Sequence, residues 1–372
     1  SLLLNTSVVK GDVKDSGNKD GRLRIGYCQA GDYYEFDYQI YQIGMALADA
    51  GELVSSELMK LRQGDNAKVV WDALSHAESG YYEFDRKSYF DITAPAFAAL
   101  SEEEAGERLA ELIDENDIDL MITMGTSAGI MVKESSDVPY MNFLASDPVL
   151  SGITGGEQLS GDKRAWAHVS SGIEQKAIDV MDDIFKPKKL GIVYSAEDPD
   201  AYIYSGASSL DDYAWRNRKM IVREFVTDEF EDTEAAYREY KANMLAAHEK
   251  LAESGIDVYI LTTSYLRLDD FYEVLYPFIK RSIPVFSINS TEDVRCGALA
   301  AVEMYDYQNI GKFAADALSK YRNGTGLDRL SQEYVTSPFL VVNIDTMRQT
   351  GVKLPLDTLI SASKIYGKYE GN

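Results

Sequence analysis

Cysteine is nearly missing from this chain, histidine is scarce, and positive charge is outnumbered. Of 372 residues two are Cys, at 28 and 296, and three are His. Two thiols cannot build a disulfide framework or a zinc site. They leave only a Cys28–Cys296 pairing open, and an isolated Cys in an apolar strand is ordinarily a buried thiol. Lys and Arg number 37 against 61 Asp and Glu, a formal charge of -24. That balance opposes nucleic-acid binding, which needs a basic face for phosphates. It favours solubility and says little about fold. No apolar run reaches membrane-spanning length. A secretory leader is not seen; the chain starts abruptly at Ser1, as a processed or a trimmed form would. The polar Gly/Asp/Lys-rich stretch 10–21 reads as a tether before the first strand, which suits a mature exported protein. There is no Walker-type glycine loop, no G-x-G-x-x-G after the first strand and no H-E-x-x-H. No cofactor and no metal are therefore expected.

What is present is a globular composition, with 45% hydrophobic and 26% charged residues. The length exceeds one comfortable core and predicts two domains. Strands alternate with helices almost throughout, the signature of an α/β fold. In the first half, strands are expected at 22–28, 81–92, 120–124 and 138–145. Helices are expected at 38–50, 66–77 and 102–115, the last opened by Ser101 with Glu104 three residues on, a capping-box pattern. The Gly/Ser-rich stretch 150–164 reads as a crossover. A second series follows, with strands at 190–194, 221–226, 257–261 and 283–288. Its helices are expected at 211–219, 233–254 and 269–281, and Gly255 should end the long one.

The strand ends share a grammar of small polar residues. The run 120–124 stops at Gly125, Thr126 and Ser127, and a helix follows. The run 138–145 stops at Ser146, Asp147 and Pro148. In the second half, strands close on Ser195, on Thr262, Thr263 and Ser264, and on Asn289 and Ser290. In open α/β sheets ligands bind outside the C-terminal ends of strands. A helix N-terminus there offers unpaired N–H groups to an anion. Each position also has a plain alternative as an N-cap or turn residue. Two similar lobes with polar strand ends predict a ligand cleft between them. Strand-end N–H and hydroxyl groups would hold an anionic group. Asp147, Glu197 and Asp32 would hold a cationic or hydroxylated part, and Tyr33 would cover an apolar face. Tyrosine is abundant, and YYEFD occurs twice, at 33–37 and 81–85. The second copy suits a strand because Tyr and Phe fit pleated surfaces.

The ordered run of DLMITMGTSAG, VPYMNFLASDPV, KLGIVYSAEDP, DVYILTTS, IPVFSINS, GALAAVEMYDYQNIGKFAADAL and VVNIDTMRQTGVKLP resembles the ABC-transporter substrate-binding proteins of the tryptophan/tyrosine-binding type. The resemblance covers about 107–355. It implies a type I periplasmic binding protein architecture: two Rossmann-like lobes, a cleft-bound small ligand, hinge closure and delivery to an ABC permease in the membrane. It implies an extracytoplasmic place, often lipid-anchored, and a monomer. Two loops depart from the family's pattern, 30–35 and 195–201, at positions that shape ligand choice. The lobes are expected at 22–146 with 300–325, and at 147–299 with 326–372. Hinges are expected near 145–149, 289–298 and after 326.

Three other readings compete. Residues 125–129 fit G-x-S-x-G between strand and helix, the setting of a hydrolase nucleophile elbow. Ser127 would then need a histidine oriented by an acid. His76 precedes Ser127 against the usual order, and His248 lies within a helix, which leaves His168. A DNA-binding repressor can share the two-lobed fold, but no helix-turn-helix precedes residue 22 and the charge is wrong. An extracytoplasmic receptor sensor domain is a third. The expectation is a non-catalytic binding protein for a small polar ligand: an amino acid or related small carboxylate.

Overall fold

A computed structural model describes residues 21–170, 172–195, 201–227, 233–262, 264–303, 305–336 and 339–367. In chain order the first elements are β1 (Leu23–Gln29), α1 (Tyr34–Asp49), α2 (Ala67–Ser75), β2 (Tyr82–Asp91) and α3 (Pro95–Ala98). Then come α4 (Glu102–Glu115), β3 (Leu120–Met124), α5 (Thr126–Ser135), β4 (Tyr140–Phe143) and β5 (Ala165–Ala167). The second series holds α6 (Ile173–Phe185), β6 (Lys189–Tyr194), α7 (Ala201–Tyr204), α8 (Ala207–Asn217), β7 (Met220–Phe225), α9 (Glu234–Glu253) and β8 (Val258–Leu261). It continues with α10 (Phe271–Ile279), β9 (Val285–Ser287), α11 (Glu292–Arg295) and β10 (Ala300–Glu303). The chain closes with α12 (Tyr307–Arg322), β11 (Phe339–Asn343), α13 (Ile344–Thr350), α14 (Leu356–Ser361) and β12 (Lys364–Tyr366).

Two compact units result. Ser1–Ser171 joins Asp306–Tyr334, and Gly172–Tyr305 joins Val335–Asn372. The first holds a parallel sheet in the order β2-β1-β3-β4-β5. Strands β3 and β4 are buried at every position, as strands covered on both faces must be, and read as mainly apolar runs interrupted by Thr123 and Asn142. Helix α4 begins with the expected capping box: Ser101 Oγ accepts from Glu104 N at 3.3 Å and Glu104 Oε2 from Ser101 N at 2.9 Å. Helix α12 returns to this unit and packs on α1, where a Cβ on Gly311 would lie 2.6 Å from the Gln42 carbonyl oxygen. Only glycine allows that approach. Trp71 and Trp166 anchor the unit's interior.

The second unit holds the order β12-β11-β10-β9-β8-β6-β7, parallel from β7 to β10, with β11 antiparallel to β10. Helix α9 stops at Ser254, and Gly255 follows at φ +74°, as the sequence predicts. Inside, His248 bridges α10 and β8: Nδ1 lies 2.7 Å from the Val274 carbonyl and Nε2 2.8 Å from the Tyr259 hydroxyl.

The unit boundaries correct the expected lobes. Segment 147–164 stays with the first sheet, because Tyr140 OH donates to Ile153 O at 2.7 Å and Thr154 Oγ1 to Gln332 Oε1 at 3.0 Å. It ends in β5, which pairs with β4. Residues 300–303 form β10, inside the second sheet. The chain crosses between units at 171/172, 305/306 and 334/335: the last lies in the expected segment after 326, and the first two lie outside the expected 145–149 and 289–298. Helix α1 also starts four residues early, so Tyr33 is its N-cap position. Helix α8 spans Ala207–Asn217, ahead of the predicted 211–219.

Candidate functional site

Because β1 to β4 are parallel, their C-terminal ends share one edge of the first sheet. From β1 the chain crosses outward to β2, and from β3 it steps the other way to β4 and β5. The switch point, where such sheets open a crevice, therefore lies between β1 and β3. Asp32 and Tyr33 follow β1, and Gly125, Thr126 and Ser127 follow β3, so the fold brings these predicted residues to the two sides of that point. Gly125 adopts φ +86° and ψ 171°, a conformation essentially reserved for glycine. A Cβ there would sit 2.8 Å from Phe36 Cζ. Asn142 on β4 fixes this turn, its Nδ2 donating to the Gly125 carbonyl at 3.0 Å and to Thr123 Oγ1 at 2.9 Å.

The hydroxyls of α5 divide. Thr126 is buried and its Oγ1 accepts from Ser146 N at 3.4 Å, which ties the ends of β3 and β4 together. Ser127 is half-buried in the first turn of α5. Asp147 has a local duty: its Oδ1 accepts from Val149 N at 3.0 Å and Leu150 N at 2.8 Å, the turn role the sequence left open. Leu144, just before it, holds φ +57°, an uncommon left-handed conformation for a bulky residue. Asp32 is exposed, and its Oδ1 accepts from Gln29 Nε2 at 3.2 Å and Asn66 Nδ2 at 3.4 Å. The Tyr33 ring lies 5.0 Å from that of Tyr34 and 5.3 Å from that of Phe36.

Sequence reasoning missed three residues at this edge. Asp91 ends β2 and its Oδ1 accepts from Gly31 N at 3.0 Å, Thr93 N at 2.9 Å and Thr93 Oγ1 at 2.7 Å. The polar stop Asp91-Ile92-Thr93 carried the same signal as Ser146-Asp147-Pro148. Gln39 on α1 is fully buried, and neither of its amide atoms has a partner among the described residues. Its signal was a polar residue set among Phe36, Ile40 and Ile43. Asn142 Oδ1 is likewise buried and unpartnered. Such groups are rare in folded proteins, since each lost bond costs about 1–3 kcal/mol.

In the second unit the switch point falls between β6 and β8. Ser195, at the end of β6, is 4% exposed, and its Oγ has no partner among the described residues. Thr262 Oγ1 donates to the Val193 carbonyl at 2.7 Å, holding the end of β8 against β6. Ser264 Oγ, two residues on, is also buried without a described partner. Glu197 and Thr263 lie outside the described residues. After β9, Ser287 Oγ accepts from the backbone N–H of Asn289 and Ser290, both at 3.1 Å, and donates to Asp293 Oδ2 at 2.6 Å. Asn289 Nδ2 donates to the same oxygen at 3.3 Å. Burial pushes the Asp293 carboxyl up to about 7 against these stabilising hydrogen bonds.

The histidines and cysteines are committed elsewhere. His168 Nε2 contacts the Tyr334 carbonyl at 3.0 Å, and burial depresses it to about 4, as it does His248. His76 caps α2 with Nδ1 2.8 Å from the Asp72 carbonyl. Among the described residues none of the three hydrogen-bonds Ser127. Cys28 and Cys296 are both free and buried. Among the described residues no cluster of His, Cys, Asp or Glu could hold a metal, and no helix is long and apolar enough to cross a membrane.

Two α/β units with polar strand ends at their switch points define the architecture of type I periplasmic binding proteins. Residues 89–366 match the family model described as "ABC transporter substrate binding protein", and the chain belongs to that family. Its members are extracytoplasmic receptors for small molecules that serve transporters. No curated protein sequence matches the chain. Among solved structures it is similar to a conserved domain protein from Vibrio cholerae, at 18% identity and TM-score 0.64, covering 92% of this chain and 99% of that one. A Streptococcus pneumonia ABC domain in complex with L-Trp has the same TM-score and coverages at 14% identity. The ligand-free, open CD0873 of Clostridium difficile, a substrate-binding protein with adhesive properties, gives 18% identity and TM-score 0.58 over 93% of this chain and 100% of that one. At such identities the likeness shows the fold alone.

Proposed function

We propose that this chain captures a small, polar, amine-bearing ligand, an amino acid or a relative of one, and delivers it to an ABC permease. It works in the periplasm or on the outer face of the cytoplasmic membrane and performs no catalysis. The ligand engages strand-end groups, and binding shifts an open–closed equilibrium. Ser195 carries this reading. A hydroxyl that is 4% exposed, unpartnered among the described residues and set at a strand end beside a switch point is what a ligand-binding group looks like before its ligand arrives. Ser264 Oγ, at the end of the neighbouring strand, repeats the pattern. The first turn of α5, with Thr126 and Ser127, would take an acceptor group of the ligand, and Asn289 would add an amide.

The test is native mass spectrometry of gently purified protein, followed by a thermal-shift screen of amino acids, amines, nucleosides and small carboxylates. A co-purifying small mass and a concentration-dependent rise in melting temperature are expected. Ser195→Ala should weaken the hit about tenfold, and Thr126→Ala with Ser127→Ala should weaken it with the fold intact. No bound mass and no shift with any compound would refute the reading.

A further inference from the structure

The loops at the C-terminal ends of the parallel strands share an electrostatic property. Lys and Arg make up 37 of 372 residues, yet none occurs at 30–33, 92–94, 125 or 144–148 in the first unit. None occurs after β6, β8, β9 or β10 either, at 195–206, 262–266, 288–291 and 304–306. The first unit fills its edge with carboxylates and tyrosines instead. Asp32 follows β1, Asp91 ends β2, and Glu35 and Asp37 stand in the first turn of α1. Among the described residues no Lys or Arg pairs with Asp32, Asp37 or Asp91. Asp32, Asp37 and Asp91 would repel a carboxylate ligand, and the start of α5 would attract one.

The tyrosines are arranged as a run of faces and edges. Tyr33 meets Tyr34, Tyr34 meets Tyr38 at 5.3 Å, and Tyr38 meets Tyr307 of α12 at 5.5 Å. Tyr34 OH also donates to Glu35 Oε1 at 3.1 Å. Ring faces beside carboxylates attract an organic cation through the ring quadrupole and through charge. The same kind of contact occurs within this unit, outside the edge loops: Lys68 of α2 places its ammonium 4.8 Å above the ring of Tyr89 of β2, and Tyr89 stacks on Tyr27. Gln39, on the face of α1 that carries Glu35 and Phe36, is fully buried with both amide atoms unpartnered among the described residues, so this side carries a donor and an acceptor that the described residues do not use.

We propose that the ligand is an organic cation, its ammonium held at the first unit's strand edge by the Tyr33 and Tyr34 rings and the carboxylates of Asp32 and Glu35. This rests on the solute-binding reading and narrows it from amine-bearing ligands, amino acids among them, to amines of net positive charge. Isothermal titration of two series on the intact chain tests it. The first is tryptamine, L-tryptophan and indole-3-propionate, which share a ring and step from cation to zwitterion to anion. The second is choline against its uncharged isostere 3,3-dimethyl-1-butanol. The cation should bind at least about tenfold more tightly in any series that binds, and added salt should narrow the gap. Glu35→Gln should cost cations about tenfold and leave the neutral isostere unchanged. Tyr33→Phe should retain binding, and Tyr33→Leu should lose about fivefold, with melting temperature reporting on the fold. Tighter binding of L-tryptophan or indole-3-propionate than of tryptamine would overturn the cation and leave solute binding standing. A thermal-shift hit that is neutral or anionic, with both cations silent, would do the same. Silence of both series and of the thermal-shift panel would count against both proposals.

Discussion

Replacing Gly125 by Ala tests whether the turn after β3 is built as described. The backbone there sits at φ +86° and ψ 171°, where an L side chain costs about 1–3 kcal/mol. The new Cβ would lie 2.8 Å from Phe36 Cζ, with the ring's other edge atoms at 3.5 and 3.6 Å, so the ring must shift within a packed core. Overpacking of that kind costs a further ~1–3 kcal/mol. The two terms add to roughly 2–6 kcal/mol, or a fall in melting temperature on the order of 5–20 °C for units of this size. Calorimetry of Gly125→Ala, Phe36→Leu and the double variant separates the terms. Phe36→Leu should relieve the contact but not the backbone, so the double variant should recover part of the loss and no more. Full recovery would mean that the backbone is unstrained. No loss in the single variant would refute the geometry of the turn, and with it the placing of Thr126 and Ser127 at the crevice.

Stability should also depend on pH in two opposing ways. His168 and His248 are held near 4, below the ordinary 6.5, so the unfolded chain binds their protons first. Stability is lost as pH falls from about 6.5 towards 4, by up to roughly 3 kcal/mol per histidine, and urea titrations of His248→Gln should show a shallower loss. Asp293 acts in reverse: its folded value of about 7 exceeds the ordinary 3.8, so its contribution is lost as pH rises through that interval. Asp293→Asn should lack this slope, and its stability relative to the parent should climb between pH 4 and 7. A parallel pair of curves would show the carboxyl to be ionised throughout.

The mainly apolar strands, such as β3 and β4, were legible because burial on both faces leaves no alternation to misread. Strand β5 was not, since three residues, Ala-Trp-Ala, carry too little pattern. Strand β10 is as bland, and its loss moved a boundary. The pentapeptide YYEFD shows why local sequence stops short. At 33–37 it opens α1 and buries Glu35 and Phe36, whereas at 81–85 it enters β2 and buries Tyr82, Phe84 and Asp85. Its neighbours decide, Gly31 and Asp32 before one copy and Ser79 and Gly80 before the other. The candidate positions were legible as polar stops after apolar runs. Whether such a stop is a cap or a binding group was not: Asp147 caps its own turn, while Ser195 Oγ has no partner among the described residues.

The threefold crossing of the chain has a consequence for biogenesis. The first sheet is complete by residue 167, but the helix that covers α1 is not synthesised until 307–322. At ordinary elongation rates the interval from β5 to α12 lasts on the order of ten to thirty seconds. Throughout it, the carbonyl face that Gly311 will close against Gln42 stands open. The second sheet in turn waits for β11 and β12, near the end of the described chain. Neither unit can seal its core while the ribosome is still working on the middle of the message. A nascent chain of this design keeps both cores open until α12, β11 and β12 have been made, and a chain with open cores is one that can still be unfolded and threaded.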